Sequence, residues 1–281
     1  TTGGGSIWVG GIGTNPALGN TAYVNGVLLN GAALNAGGGN IDIRGTAANA
    51  ANSAGVNMTG GSSLATGAAG TVSITGVGGT NAASRGIVLD GNVLTVAEGK
   101  TITLNAVSNA TGANAQALLL QTGPSTVNGN LVVAATGNNV AQTVDAPLTV
   151  TGSAAFATGT SDLLLNVAST NAFEGAVTVS TGANVRLLNA GALTLGAIST
   201  TGKIDIATRS GDLTLTGAVG TTDATIWDSA SKISAISLRA GGDSGVSDST
   251  GGNIIVGSGA SVSVGAGGSA VLYTGSVSSS T

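Results

Sequence analysis

Short alternating apolar stretches recur along this chain at a nearly constant spacing, and this recurrence restricts the possible folds most strongly. One series runs through Ile41/Ile43, Val72/Ile74, Ile102/Leu104 and Leu131/Val133. A second series runs through Val27/Leu29, Val56/Met58, Ile87/Leu89, Leu118/Leu120 and Leu148/Val150, and a third through Leu34, Leu64 and Leu94. The spacing is about 30 residues in all three series, which indicates one structural unit per repeat.

Each apolar pair has a period of two, which is typical of a strand with one buried face. Glycines keep the same spacing, as in Gly45/Gly76, Gly55/Gly86 and Gly60/Gly91. Gly, Asn, Thr and Ser separate the pairs and supply turns. The Ala-rich segment 46–54 is bounded by Gly and interrupted by Asn and Ser, so we expect a loop there. We therefore predict that each repeat contains three short strands and no helix.

The spacing shortens to about 20 residues in the second half of the chain. There the series are Val185/Leu187, Ile204/Ile206 and Ile226, and Leu193/Leu195, Leu213/Leu215 and Ile233; later pairs are Ile236/Leu238, Ile254/Val256 and Val262/Val264. No change in composition marks a linker. The sequence predicts one continuous β-solenoid over residues 1–281, with longer repeats in 1–152 and shorter repeats in 153–281.

Stacking such repeats strand on strand gives an all-β fold, a right-handed parallel β-helix with three short strands per coil, because parallel crossovers are right-handed by default. Inward Val, Ile and Leu would form the core. About a dozen coils at about 4.8 Å each would make a rod on the order of 50–60 Å long.

Composition excludes several functions. The chain has no Cys and no His, so a Ser/His/Asp or Cys/His catalytic arrangement is impossible. A net charge of −4 with only 8 Lys and Arg argues against nucleic acid as a partner. No run of 18 apolar residues occurs, so we expect no helix that spans a membrane. No cofactor motif is present: the glycine-rich run at 60–67 lacks the Lys-Ser/Thr ending of a phosphate-binding loop.

The 12 acidic residues are scattered rather than clustered, which favours a protein that is not an enzyme. Asp42 and Asp205 stand in similar sequence contexts, NIDI and KIDI. We expect Asp42 with Arg44, and Asp205 with Arg209, to form surface ion pairs of little energetic weight.

Other motifs give weaker hypotheses. Asp243 and Asp248 lie among glycines and suggest a calcium loop, although an ordinary turn is favoured because the motif occurs once. Asn57 and Asn109 begin glycosylation sequons that abundant Asn and Thr produce by coincidence. Alternating Thr pairs would suit an ice-binding face but do not recur at one repeat position: Thr101/Thr103, Thr149/Thr151 and Thr214/Thr216. The rare aromatic residues would bind sugars or partner chains if exposed, or else pack loops: Trp8, Tyr23, Trp227 and Tyr273.

Several segments together resemble large bacterial exoproteins of the filamentous-haemagglutinin type. These segments are GNIDIRGTAANAANSAGVNMTGG (39–61), GTVSITGVGGTNAASRGIVLDG (70–91), LTLGAISTTGKIDIATRSGDLTLTGAVG (193–220) and ASVSVGAGGSAVLYTGSVSSST (260–281). The resemblance implies a right-handed β-helix, secretion across an outer membrane and display as an adhesin or matrix fibre. The family's N-terminal secretion domain is not found in residues 1–281, so we expect a segment of a longer chain.

The leading functional hypothesis is therefore a structural and interaction protein, a β-helical adhesin segment at the bacterial cell surface or in extracellular matrix. Its expected partners are other copies of itself, or a host or matrix surface made of protein or carbohydrate. The alternative is a self-assembling extracellular filament or surface-layer subunit that stacks end to end. A carbohydrate-active β-helix enzyme is a remote third possibility. The sequence assigns no catalytic, cofactor-binding, metal-binding or ligand-binding residue.

Overall fold

The structure is a computed structural model that describes residues 4–10, 16–20, 22–112, 114–242, 251–275 and 280 of the 281. These residues form strands, turns and loops, and none of them is helical. The Ala-rich segment that the sequence predicts as a loop connects two strands and is likewise not helical.

Alternating aliphatic residues between glycine-rich turns give many short strands. In chain order the strands are β1 (Ile7–Val9), β2 (Ala17–Leu18), β3 (Val27–Asn30), β4 (Ala33–Asn35), β5 (Ile41–Thr46), β6 (Ala54–Thr59), β7 (Ser63–Ala65), β8 (Val72–Val77), β9 (Arg85–Leu89), β10 (Val93–Thr95), β11 (Thr101–Val107), β12 (Gln116–Leu120), β13 (Ser125–Asn128), β14 (Asn130–Thr136), β15 (Asn139–Gln142), β16 (Leu148–Val150), β17 (Ala154–Ala157), β18 (Leu163–Leu165), β19 (Ala172–Phe173), β20 (Val177–Thr181), β21 (Val185–Asn189), β22 (Leu193–Thr200), β23 (Ile204–Thr208), β24 (Leu213–Leu215), β25 (Ala218–Thr221), β26 (Ile236–Arg239), β27 (Ile254–Val256), β28 (Ser261–Ser263) and β29 (Ala270–Tyr273).

The strands form three parallel sheets. Sheet 1 has thirteen strands, with the path β1-β5-β8-β11-β14-β17-β20-β22-β24-β27 and with β2, β25 and β28 beside it. Sheet 2 has ten strands, β3-β6-β9-β12-β15-β18-β21-β23-β26-β29, and sheet 3 has six, β4-β7-β10-β13-β16-β19. From β4 to β21 the chain visits sheets 3, 1 and 2 in turn, so each circuit is one coil of a parallel β-helix with three short strands, as the sequence predicts.

The register confirms most of the apolar series. In sheet 1, Ile43 pairs with Ile74, which pairs in turn with Leu104. Leu34, Leu64 and Leu94 are aligned in sheet 3 in the same way. The inward members of these rows form one continuous core, which runs from Val27 to Ile254.

One member of the second series is assigned wrongly by the spacing. Leu118 pairs with Val140 in sheet 2, whereas Val150 pairs with Val127 in sheet 3. The reason is an early change in coil length. Hydrogen bonds between equivalent positions of neighbouring coils join residues 31 apart at Asn40 and Thr71, but 23 apart at Asn130 and Ser153.

Two predicted members of the short series lie outside the core. Ile204 pairs with Ile236, and Leu213 pairs with Ile254. Ile226 and Ile233 are therefore not part of these two strand pairings. These two side chains are 69% and 44% exposed. Both belong to an insertion, residues 222–235, between the end of β25 and the start of β26, and we call it the excursion loop.

The later coils also change their cross-section. Sheet 3 ends at β19, and the long strand β22 pairs with both β24 and β25 in sheet 1. The ten strands of sheet 2, about 4.8 Å apart, span on the order of 45 Å along the axis. This length is somewhat shorter than the sequence-based expectation because the insertion adds residues without adding a coil.

Buried polar side chains satisfy the backbone where the coils bend. Ser53 and Ser84 are both fully buried, and their hydroxyl oxygens lie 2.8 Å apart between neighbouring coils. Ser84 also accepts a hydrogen bond from the Gly79 amide at 2.7 Å. Because unpaired buried polar groups are costly, such contacts stabilise the turns.

Candidate functional site

A positively charged pocket lies on the outer face of sheet 2, under the excursion loop. It encloses about 100 Å³. Its lining residues are Arg186, Lys203, Ile204, Asp205, Lys232, Ile233, Ser234, Ser237 and Arg239. Four of the eight Lys and Arg of the chain therefore line one pocket, although the chain as a whole carries a net charge of −4.

Strand register brings the polar residues of the pocket together. Arg186 in β21 pairs with Asp205 in β23, which pairs with Ser237 in β26. Their chain neighbours face the core, so alternation turns these three side chains outward. Neighbouring strands are about 4.8 Å apart, which places the three groups within reach of one ligand group. Arg239, two residues beyond Ser237, extends the same outer face.

Arg239 is the most enclosed charged group in the pocket. It forms an ion pair with Asp205, and its Nη1 donates a hydrogen bond to the Ser237 hydroxyl at 2.6 Å. Its side chain is only 12% exposed. Its Nε is buried and has no hydrogen-bond partner among the described residues. One guanidinium donor is therefore unsatisfied among the described residues, although it is shielded from solvent.

Lys203 is partly neutralised on the side of the excursion loop. Its Nζ lies 3.5 Å from a carboxylate oxygen of Asp223. Hydrogen bonding from Thr225, including its amide at 2.8 Å, lowers the pKa of Asp223, and the Lys203 charge lowers it further. Asp223 thus stays ionised and ties the start of the excursion loop to the pocket.

The tip of the excursion loop is ordered by its own side chains. The Asp228 amide donates to the Ile233 carbonyl oxygen at 3.0 Å. The Asp228 carboxylate accepts hydrogen bonds from the Ser231 hydroxyl at 2.5 Å and the Ala230 amide at 2.9 Å, and these bonds lower its pKa. Lys232 has a positive φ of 57° within this turn. The turn thereby holds Lys232 over the pocket.

An aromatic pair lies beside the pocket. The rings of Trp227 and Tyr273 meet edge to face, with centroids 6.4 Å apart. The Lys232 Nζ lies 5.8 Å from the centre of the Trp227 ring, and Tyr273 is in register with Arg239. Of the four aromatic residues that the sequence singles out, these two pack against each other, whereas Trp8 and Tyr23 are 50% and 78% exposed.

The structure confirms one predicted ion pair and corrects the other. Arg44 Nη2 lies 2.6 Å from the Asp42 carboxylate, as expected. Asp205 pairs with Arg239 and not with Arg209 as predicted, because Arg239 lies on the neighbouring strand of the same outer face. Asp42 is in sheet 1 and Asp205 in sheet 2, so their similar contexts do not correspond to equivalent positions.

The described residues give little support to the remaining candidate sites, which are the calcium loop, the sequons and the Thr pairs. Asp243 and Asp248 lie outside the described residues, and within the described part no group of three acidic residues could hold a metal ion. The sequon residue Asn109 is hydrogen-bonded within the fold, because its Nδ2 donates to the Gly78 carbonyl oxygen at 3.1 Å. Thr149 lies in sheet 3, whereas Thr101 and Thr214 lie in sheet 1, so the three Thr pairs do not share one face.

The basic pocket could not be found from the sequence. Its four cations are separated by unequal intervals along the chain, and one of them, Lys232, lies in the excursion loop, whose aliphatic residues resemble core residues. A useful signal was present nonetheless: five of the eight Lys and Arg fall in residues 186–239.

Comparisons with known proteins give no relative, since no family model, curated protein or solved structure matches the chain. The described residues contain no helix of the length and apolar character needed to cross a bilayer. Function must therefore be argued from the fold and the pocket.

Proposed function

We propose that this chain is a structural and interaction module, a β-helical adhesin segment at a bacterial cell surface or in extracellular matrix. The observation that supports it is a column of residues in sheet 1 that are aligned coil on coil: Ile41, Val72, Ile102, Leu131, Ala154 and Val177. Such a column holds a rod in one shape and leaves the outer faces and loops available for contacts. The resemblance to filamentous-haemagglutinin-type exoproteins supports the same role.

The outer surface suits distributed contacts. Outward positions of sheet 1 carry small polar residues such as Ser73, Thr75 and Thr103, and few charges oppose a close approach. Hydrogen-bonding side chains on a rigid scaffold bind with little loss of conformational entropy. Protein or carbohydrate surfaces are suitable partners for such a face.

An adhesion assay tests this role. Beads coated with the folded chain should bind to bacterial or matrix surfaces, and beads coated with Ile74→Asp, which places a charge in the core, should not. Equal binding of both bead types would contradict the proposal. Catalytic turnover that is lost in Asp42→Asn or Asp205→Asn would contradict it as well, in favour of an enzyme.

A second candidate, an end-to-end filament, is favoured by one observation. Leu272 in β29 is in register with the buried Leu238, yet it is 40% exposed among the described residues. Exposed apolar strand edges promote strand-to-strand association. Electron microscopy over a concentration series distinguishes the two candidates, because growing filaments with a regular axial repeat favour assembly, whereas rods of fixed length favour the adhesin segment.

A further inference from the structure

We propose that the pocket beneath the excursion loop binds the carboxylate group of an acidic polysaccharide, with a uronate unit as the group that enters. The Trp227–Tyr273 pair would contact the adjoining sugar ring. This inference goes beyond the proposed structural role, which requires no particular coil to bind a particular chemical group.

Charge is the first argument. Two of the four cations are balanced, Arg239 by Asp205 and Lys203 by Asp223. Arg186 and Lys232 have no carboxylate within salt-bridge distance in the part of the chain that the structure describes. Lys232 is partly compensated by Asp228, whose pKa its charge lowers. The four cations still outnumber the three carboxylates of Asp205, Asp223 and Asp228, and a bound anion relieves the remaining repulsion. The pocket therefore favours a negatively charged ligand group.

The Arg239 guanidinium is the second argument. Its two terminal nitrogens contact Asp205 and Ser237, and its Nε is shielded from solvent and therefore out of a ligand's direct reach. The guanidinium nevertheless belongs to a side chain that lines the pocket, so its positive charge acts on whatever group enters. A planar carboxylate matches the geometry of a guanidinium group.

Size and shape are the third argument. A space of about 100 Å³ is small beside ordinary ligand pockets, which suits a carboxylate group as the part of the ligand that enters. The rest of the ligand must lie outside, where Trp227 and Tyr273 are half-buried and present partly accessible rings. Aromatic faces combine apolar area with a polar edge and suit the flat C–H face of a sugar. This neighbour favours a polysaccharide over an acidic peptide.

Trp227 gives a direct readout, because the chain has only two Trp residues. In a Trp8→Phe background, titration with hexagalacturonate should change the Trp227 fluorescence saturably. Maltohexaose, which is neutral, should leave it unchanged. Equal responses to hexagalacturonate and maltohexaose, or no response to either, would overturn the proposal.

Two further probes separate other sources of negative charge. Hexaglutamate that binds as tightly as hexagalacturonate would overturn the proposal in favour of an acidic peptide. Dextran sulfate that binds more tightly at equal charge would overturn the assignment of a carboxylate. The proposal expects hexagalacturonate to bind most tightly of the three.

Charge-removing variants locate the site. Arg186→Gln with Lys232→Gln should weaken hexagalacturonate binding by at least about tenfold, measured by calorimetry, because each lost charge-assisted contact is strong. Lys100→Gln removes one charge outside the pocket and should bind as the parent does. An unchanged affinity in the double variant would overturn the proposal, and an unchanged circular dichroism spectrum shows that the variant is folded. Beads that fail to adhere while hexagalacturonate still binds would contradict the proposed function alone.

Discussion

The side-chain amides of Gln142 and Asn171 pair reciprocally inside the β-helix. Each amide nitrogen donates to the oxygen of the other at 2.9 Å, across 29 residues of sequence. Asn171 is fully buried, and its Oδ1 also accepts from the Leu148 amide at 2.8 Å. One polar side chain thus joins neighbouring coils at the bend between strands.

Replacing Asn171 with Ala should therefore be strongly destabilising. The change removes the side-chain partner of the buried Gln142 Oε1 and of the Leu148 N–H, while the Gln142 amide nitrogen keeps the Ala146 carbonyl oxygen. We expect a loss of about 2–4 kcal/mol in the free energy of unfolding. Urea unfolding followed by circular dichroism measures it. Asn105→Ala, at an outward position of β11, is the control and should change stability by less than about 0.5 kcal/mol.

The core row of sheet 1 allows a second prediction. Ile74 is fully buried between Ile43 and Leu104, so Ile74→Ala should cost about 2–5 kcal/mol through lost burial and a cavity. Its outward neighbour Ser73 serves as the control, and Ser73→Ala should be near neutral. Equal effects at both positions in urea unfolding would contradict the assigned inner and outer faces.

The recurring glycines have a steric explanation that a third variant tests. Gly45 and Gly76 are in register, and a Cβ at Gly76 would lie 2.2 Å from the Gly86 carbonyl oxygen of the next strand. We expect Gly76→Ala to destabilise the fold by about 1–3 kcal/mol, the usual effect of overpacking. Gly191→Ala is the control, since a Cβ there meets no atom of the described residues within 4 Å. A lower melting temperature for Gly191→Ala than for Gly76→Ala would show that this explanation is wrong.

Acid should weaken the attachment of the excursion loop. The pKa of Asp223 is lower in the folded chain than in the unfolded chain, so its contribution to stability is present above about pH 4 and is lost as the pH falls through the folded value. The pair with Lys203 is at the surface, and its worth is below about 1 kcal/mol. Comparing the pH dependence of unfolding in the parent and in Asp223→Asn should reveal a smaller loss on acidification in the variant. A variant whose acid sensitivity exceeds that of the parent would contradict this sign.

The repeat pattern predicts the fold because identical environments recur in every coil. Leu34, Leu64 and Leu94 need only local alternation and constant spacing to be placed correctly. The sequence-based series assign Leu148 and Ile233 to the wrong rows, because spacing alone cannot show where a coil shortens or where a loop is inserted. Aliphatic side chains in a loop and in a core row look alike in one sequence.

The pocket is harder to predict from the sequence than the fold, because its residues come together only through the register of neighbouring strands. Arg186 and Asp205 become neighbours only when coil length is known, and Lys232 is brought to them by an insertion of irregular length. The pairing of Asp205 with Arg239, 34 residues away, has the same origin. Arg209 is nearer to Asp205 in sequence, which is why it is the predicted partner. The pairing of β23 with β26 instead places Arg239 beside Asp205.

Engineered disulfides test the stacked register most directly, since the natural chain has no Cys. Ser73 and Thr103 are paired outward residues of β8 and β11, and paired Cα atoms about 4.8 Å apart suit a disulfide. We expect Ser73→Cys with Thr103→Cys to form an intramolecular disulfide rapidly under mild oxidation, whereas Ser73→Cys with Asn105→Cys, offset by two residues, should do so slowly. Faster cross-linking of the offset pair, or none in the aligned pair, would contradict the β-helix register on which the whole account rests.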